Sequence, residues 1–275
     1  MTNIVNHYKN LWNLDDLKSW KRTKSSETFI GFKKKEEVLL KVLTATGLKD
    51  EARGVAFLNH YQGRGAVGIL EFSPKAILMK LLKGSDLYRF SKAEAEESTF
   101  PIFSKIISQI QEHKTLNSLP HIKSLLPGLK ESLDSLSKYE DSQAYAFLKK
   151  GFELFETLLE SEKKVVNLHG DLHHENIIIQ EGVPYFIDPK GFRGDPCYEL
   201  GTILKNPWDF PNISQSEDHY LIRSEKLAAS LELCLERVRH YAFVHVALSY
   251  SWALEDREAG SHQLTLLRLM DKHVS

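Results

Sequence analysis

The apolar positions of the first 83 residues change period several times, and each change marks an element. Val5, Tyr8, Leu11 and Trp12 recur at helical spacing and predict a helix over residues 4–20. Thr28–Phe32 is rich in β-branched and aromatic residues and predicts a strand. Lys33-Lys34-Lys35 reads as a charged hairpin turn, and Glu37–Leu43 (EVLLKVL) as a second, more apolar strand. A helix follows from about Asp50 to His60, then a glycine-rich corner at Gly63, Gly65 and Gly68. Val67–Glu71 and Ala76–Leu82 read as strands joined by a turn at Ser73-Pro74-Lys75, and Gly84 breaks the second. The order helix, two strands, helix, two strands predicts a small sheet with a helix on it.

Beyond Gly84 the pattern turns helical. Residues 91–113, 120–136 and 140–160 predict helices, separated by turns at Ser118, Pro127-Gly128 and Asp141. A strand-loop-strand unit follows: Val165–Leu168, a polar loop, Ile177–Ile179, a turn at Glu181-Gly182, and Tyr185–Ile187. Residues 224–254 carry Leu227, Leu231, Leu235, Val238, Ala242 and His245 on one stripe, and a last helix starts at about Gln263. The expected fold class is α+β, with a small mixed lobe over residues 1–83 and a larger, mostly helical lobe over 84–275.

Composition narrows the partners. With 36 basic and 37 acidic residues the formal net charge is -1, which exerts no long-range pull on nucleic acid or anionic membranes. The two cysteines, Cys197 and Cys234, form no CxxC, so a disulfide scaffold or structural zinc site is not expected. The N-terminal residues lack a signal-peptide pattern. No apolar run approaches the ~20 residues of a membrane span; Ala242–Leu254 is interrupted by His245, Ser249 and Ser251. The expectation is a cytoplasmic protein with a small-molecule partner, neither nucleic acid nor membrane.

Candidate chemistry concentrates in His169-Gly170-Asp171-Leu172-His173-His174-Glu175-Asn176 and in Ile187-Asp188-Pro189. The loop lies between two apolar strands, so its polar side chains sit on a rigid scaffold. Asp171 suits a general base for a hydroxyl. Asn176 offers a neutral oxygen and Asp188 a carboxylate, both hard ligands that suit Mg²⁺. Asp188 ends a strand expected to pair with Ile177–Ile179, which lets it face Asn176. Lys41 lies inside an apolar strand, where an unpaired ammonium is costly. Two blander readings exist. Lys41 could be an edge lysine with its head in water, and the histidines beside Asp171 could be metal ligands, though the further ligand blocks of a metallophosphoesterase are missing from the sequence. The order lysine, H-x-D-x-x-x-x-N, then a strand ending in Asp is that of phosphoryl-transfer enzymes of the kinase type.

His169 to Gly201 resembles the aminoglycoside phosphotransferase superfamily. HGDLHHENI with IDPKG-FR-GDP-YELG resembles its streptomycin and hydroxyurea phosphotransferase branch, supported by GRGAV at Gly63–Val67 and by Arg239–Asp256. The resemblance implies a two-lobed protein-kinase-like fold, with an antiparallel sheet in the small lobe, and implies ATP and Mg²⁺ as cofactors. It implies Asp171 as base, Asn176 and Asp188 as metal ligands, and Lys41 as the phosphate lysine. Lys41, Glu51, Ser25, Ser26, Lys80 and Leu82 form the expected nucleotide-binding set. Two departures stand out. No glycine-rich loop precedes Lys41, and Ser25, Ser26 and Thr28 occupy that hairpin, where backbone N–H groups can still cradle phosphate. Glu51 is the expected partner of Lys41, while Gly54 stands one turn later. His169 is expected to brace the loop and Cys197 to pack.

The acceptor is expected to be a small-molecule hydroxyl. Only six residues separate Asp188 from Asp195, too few for the activation segment of a protein kinase, and Gly170 stands where such a kinase often has arginine. Between Arg193 and Asp218 five acids (Asp195, Glu199, Asp209, Glu217, Asp218) face two bases (Arg193, Lys205), and Glu255, Asp256 and Glu258 follow. With Lys190 and His169, the residues Asp195, Glu199, Glu255 and Asp256 form the expected structural and substrate-pocket set. Such acids suit a cationic aminocyclitol such as streptomycin; a solvated acidic face is the alternative. A housekeeping kinase of a sugar or amino alcohol, and a non-catalytic nucleotide binder, also fit the residues.

Overall fold

A computed structural model describes residues 2–45, 47–88, 96–139 and 142–274. The chain forms two compact units, Met1–Asp86 with Asn176–Gly191, and Leu87–Glu175 with Phe192–Ser275. The first unit thus takes in a hairpin from far along the chain, which a single boundary at 83/84 leaves with the second lobe.

In the first unit, α1 (Thr2–Leu11) precedes β1 (Asp15–Arg22), β2 (Ser26–Lys33) and β3 (Glu36–Leu43). Helix α2 (Leu48–His60), β4 (Ile69–Ser73) and β5 (Ala76–Lys80) follow. The five strands form an antiparallel sheet in the order β1-β2-β3-β5-β4. Alternation along β3 sends Val38, Leu40 and Val42 to one face, where they pack with Phe29, Ala76, Leu78, Tyr8, Trp12 and Leu14. Lys41 and Leu39 point to the other face. The β2–β3 hairpin closes with Lys34 and Lys35 at positive φ, as the charged turn requires.

Strands β1, Ser85–Asp86 and Phe192–Gly194 were not foreseen, and β1 is the longest of them. The helix expected over 4–20 ends at Leu11, Asn13 turns with φ 52°, and Asp15–Arg22 becomes an edge strand. Its side chains are almost all exposed, so burial stamped no alternation on the sequence. The β1–β2 pairing is bulged twice, a feature that protects edges.

The returning hairpin consists of β8 (Ile177–Gln180) and β9 (Val183–Phe186), turning through Glu181 and Gly182 at positive φ, and β6 (Ser85–Asp86) pairs with β8. Gly65 and Val67 hydrogen-bond both backbone groups of Phe186, which explains the glycine corner as a docking strip. Phe186 packs its ring against Phe57 and Tyr61 of this unit.

The second unit is mostly helical, and β7 (Val166–Leu168) pairs with β10 (Phe192–Gly194) within it. Helix Phe100–Gln111 falls inside the predicted 91–113, of which 91–95 lie outside the described residues. Pro127-Gly128 is no turn: both residues lie in the first turn of helix Leu126–Ser135, where proline's missing N–H costs nothing. The single helix expected over 224–254 is two, Glu217–Ser230 and Leu235–Glu255. The break lies around Glu232 (φ 54°), and the stripe continues across it with Leu227 buried in one helix and Val238 in the other. No helix among the described residues is long and apolar enough to cross a membrane.

Candidate active site

In the first unit, Lys41 sits on the central strand between Thr28 and Ile77. Its Nζ donates to Asp188 Oδ1 at 2.6 Å, with side-chain exposures of 6% and 49%. The expected partner Glu51 lies on α2, but its side chain is outside the described residues. Asp188 adopts φ 56°, rare for a non-glycine residue. Ile187 N–H donates to the Asn176 carbonyl at 3.0 Å, so Asn176 and Asp188 flank the open end of one hairpin. Asn176 is buried. Pro189 is buried too, and its carbonyl lies so near α2 that a Cβ on Gly54 would sit 2.6 Å from it. The turn 188–191 is therefore held against that helix.

The hairpin before Lys41 is closed by hydroxyls in place of glycines. Thr23 N–H donates to Ser26 O at 2.8 Å, and Ser26 N–H donates to Thr23 Oγ1 at 3.1 Å. The Ser26 hydroxyl is buried and lies 3.3 Å from Thr23 Oγ1. Ser25 is half-buried, and its carbonyl accepts from Thr44 N–H at 2.9 Å. The β5 register pairs Lys80 with Val38, which puts Lys80 on the sheet face opposite Lys41. Lys80 is exposed at the end of β5. Besides Thr28 and Ile77, the lysine face carries Ile30, Leu39 and Met79, a cross-strand apolar row beside Lys41 that alternation alone could have picked out. Leu82 lies half-buried just past β5. Lys190 is exposed.

In the second unit, the loop after β7 is anchored from below by Glu199, at the start of helix Glu199–Lys205. Its Oε2 accepts from His169 N–H at 2.6 Å and its Oε1 from Gly170 N–H at 3.0 Å. Burial pushes the Glu199 carboxyl up to about 7, opposed by the backbone donors of Gly170, His169 and Leu172 and reinforced by the negative charge of Asp171. His169 is fully buried, and its Nδ1 accepts from Asp171 N–H at 3.3 Å, the bracing role expected of it. Asp171 is half-buried. His174 is buried edge-on against Phe103, and burial holds its pKa well below the ordinary value, so it is neutral.

The expected acidic pocket does not form as one face. Glu199 and Asp195 are buried, the latter bonded by Arg237 Nε at 2.6 Å and by Cys197 N–H at 2.9 Å. Glu217 pairs with Lys272 and His273, and Asp209 accepts from the Tyr88 hydroxyl at 2.8 Å. Glu255, Asp256 and Glu258 are exposed around the end of the long helix. Carboxylates adjacent in sequence were separated by burial, because two of them satisfy backbone and arginine donors inside the unit. Sequence reasoning also missed Arg223, fully buried with Nε 2.8 Å from Glu96 Oε1 and an Nη2 bond of 2.5 Å to the Ile203 carbonyl. Cys197 packs as expected, its thiol pushed far above the usual range by burial.

A family model described as aminoglycoside/hydroxyurea antibiotic resistance kinase matches residues 12–257. The chain is 25% identical over 224 residues to the streptomycin 3''-kinase of Klebsiella pneumoniae, covering 78% of this chain and 80% of that protein. It is 23% identical over 207 residues to the streptomycin 6-kinase of Streptomyces griseus, covering 72% and 66%. It is 26% identical over 230 residues to the hydroxyurea phosphotransferase of Kitasatospora aureofaciens, covering 81% and 64%. The chain thus spans slightly less than two thirds of the last two proteins. Among solved structures, the aminoglycoside phosphotransferase APH(4)-Ia with ADP and hygromycin B matches with a TM-score of 0.71, at 12% identity and over 97% of both chains. The choline kinase LicA from Streptococcus pneumoniae matches with a TM-score of 0.70, at 14% identity, over 99% of this chain and 97% of that one. These likenesses establish the kinase-like fold. The chain belongs to the aminoglycoside/hydroxyurea antibiotic resistance kinase family and is a phosphotransferase.

Proposed function

From that membership we propose that the protein transfers the γ-phosphoryl group of ATP, with Mg²⁺, to a hydroxyl of an aminoglycoside of the streptomycin kind. The observation that carries the reading is the 2.6 Å bond between the buried Lys41 and the half-exposed Asp188, with Asn176 at the end of the same hairpin. A neutral oxygen and a carboxylate form a hard donor set that fits Mg²⁺. Bound there, the metal would neutralise phosphate charge.

The chain's own residues then take the following roles. Asp171 accepts the proton of the acceptor hydroxyl. Asn176 and Asp188 hold the metal, and Lys41 sits beside the phosphates. Ile30, Leu39 and Met79 offer an apolar row for the purine on the lysine face of the sheet. In place of a glycine-rich loop, the Thr23–Ser26 turn presents backbone. Glu199 keeps the Asp171 loop in shape through His169 and Gly170. The relatives named for streptomycin support the acceptor class, and Glu255 and Asp256 are exposed acids at the end of the long helix.

The test is ADP release from Mg·ATP against streptomycin, other aminoglycosides, hydroxyurea, and a panel of sugars and amino alcohols. Turnover on streptomycin supports the whole reading. Turnover on a sugar or amino alcohol alone keeps the mechanism and overturns the acceptor. Binding of nucleotide without turnover on any of them sinks the catalytic reading.

A further inference from the structure

Lys190 stands two residues beyond Asp188, with its ammonium exposed and without a hydrogen bond or ion pair among the described residues. Lys41 of the same unit is, by contrast, bound to Asp188. The backbone under Lys190 is tightly specified. Asp188 and Gly191 bracket it at φ 56° and 66°, Ile187 is tied to Asn176, and the buried Pro189 presses its carbonyl against α2 at Gly54. Two residues of chain span at most about 7 Å, so a flexible lysine side chain reaches whatever Asp188 holds. The turn thus holds an exposed lysine within side-chain reach of Asp188.

The charge balance of the transfer gives that ammonium a purpose. Phosphoryl transfer asks for positive charge on the moving group as well as on the phosphates that stay behind. From His169 to Pro189 the sequence contains no lysine or arginine. Lys41 is anchored in the sheet, its stem enclosed. We propose that Lys190 is a further catalytic residue, its ammonium contacting the phosphoryl group in flight. In that step the acceptor oxygen bonds to Pγ as the bond from Pγ to the bridging oxygen breaks. The hydroxyl proton passes to Asp171, the electron pair of the broken bond stays on ADP, and Lys190 keeps its proton throughout.

The inference rests on the ATP-dependent reading above, and binding measurements separate the two. Wild type, Lys190→Met and Lys190→Arg are titrated with Mg·ADP alone and with Mg·ADP plus aluminium fluoride, a mimic of the transferring group. Wild type should bind the fluoride complex more tightly than Mg·ADP. Lys190→Met should keep Mg·ADP affinity and thermal stability yet lose about tenfold or more of the fluoride gain, and Lys190→Arg should retain most of it. Turnover in Lys190→Met should fall about tenfold to a hundredfold. An undiminished fluoride gain in Lys190→Met overturns the proposal. So does an equal loss of affinity for both complexes, which would make Lys190 a nucleotide contact only. A wild type that binds no Mg·ADP overturns the ATP-dependent reading itself, and Lys190 with it.

Discussion

Lys41 Nζ donates to Asp188 Oδ1 at 2.6 Å, tying the middle of the sheet to a turn 147 residues further along the chain. The carboxylate it holds is the one proposed for the metal, so lysine and metal share a ligand. Asp188→Ala should therefore remove the Mg²⁺ dependence of nucleotide binding, measured by titrating nucleotide with and without Mg²⁺. Lys41→Met should lower turnover by about a hundredfold to a thousandfold. Metal-linked affinity that survives in Asp188→Ala would exclude Asp188 as the ligand.

Asp171 makes a different prediction because its proposed task is proton transfer. Asp171→Asn keeps the size and loses the base, and kcat should drop by about 10²–10⁴. Nucleotide affinity should stay as in wild type. Single-turnover kinetics alongside nucleotide titration would check both halves.

Glu199 should impose opposite pH trends on stability and rate. Its carboxyl rises from 4.5 to about 7 on folding, chiefly through burial. A raised carboxyl binds its proton more tightly in the native state, so its stabilising contribution is complete below about 4.5 and is lost as pH rises through about 7. The ionised form accepts from His169 and Gly170 with both oxygens, and protonation takes one acceptor away. Rate should therefore climb through the same window in which stability declines. Glu199→Gln should flatten this part of the stability profile, read as urea midpoints across the pH range. An unchanged profile would show that another group titrates there.

Arg223 and Glu96 form a buried pair, with side-chain exposures of 1% and 7%. Burial lowers the arginine's pKa, and the glutamate opposes that shift. Arg223→Met should cost about 3–5 kcal/mol in denaturant unfolding, because Glu96 loses its main compensating charge. The double variant Glu96→Gln with Arg223→Met should recover much of that loss. Equal costs for single and double variants would mean the pair is not coupled.

Gly54 is the contact on which the Asp188 turn rests. A Cβ there would stand 2.6 Å from the Pro189 carbonyl, and neither backbone can yield freely. Gly54→Ala should cost about 1–3 kcal/mol and lower kcat by shifting Asp188. Wild-type kcat and stability would show that the turn gives way at no cost.

What the sequence by itself determined was local and chemical. Asp171 and Asn176 lie within one loop, Asp188 ends the strand after the next turn, and Lys41 interrupts an apolar run; short-range spacing and the cost of an unpaired buried charge made all four legible. The strands on either side of Lys41 were legible for a similar reason, since half-burial writes alternation into a chain. Only the tertiary structure decided the remainder. Asp15–Arg22 became an edge strand with nothing buried to announce it, and two helices replaced one across a break at Glu232, φ 54°. Asp195 and Glu199 read like Glu255 and Asp256 in sequence. Arg237 and the backbone of the Asp171 loop drew the first two inside, whereas the others stayed in water. The fate of an acid depends on donors far along the chain, and no local pattern records them.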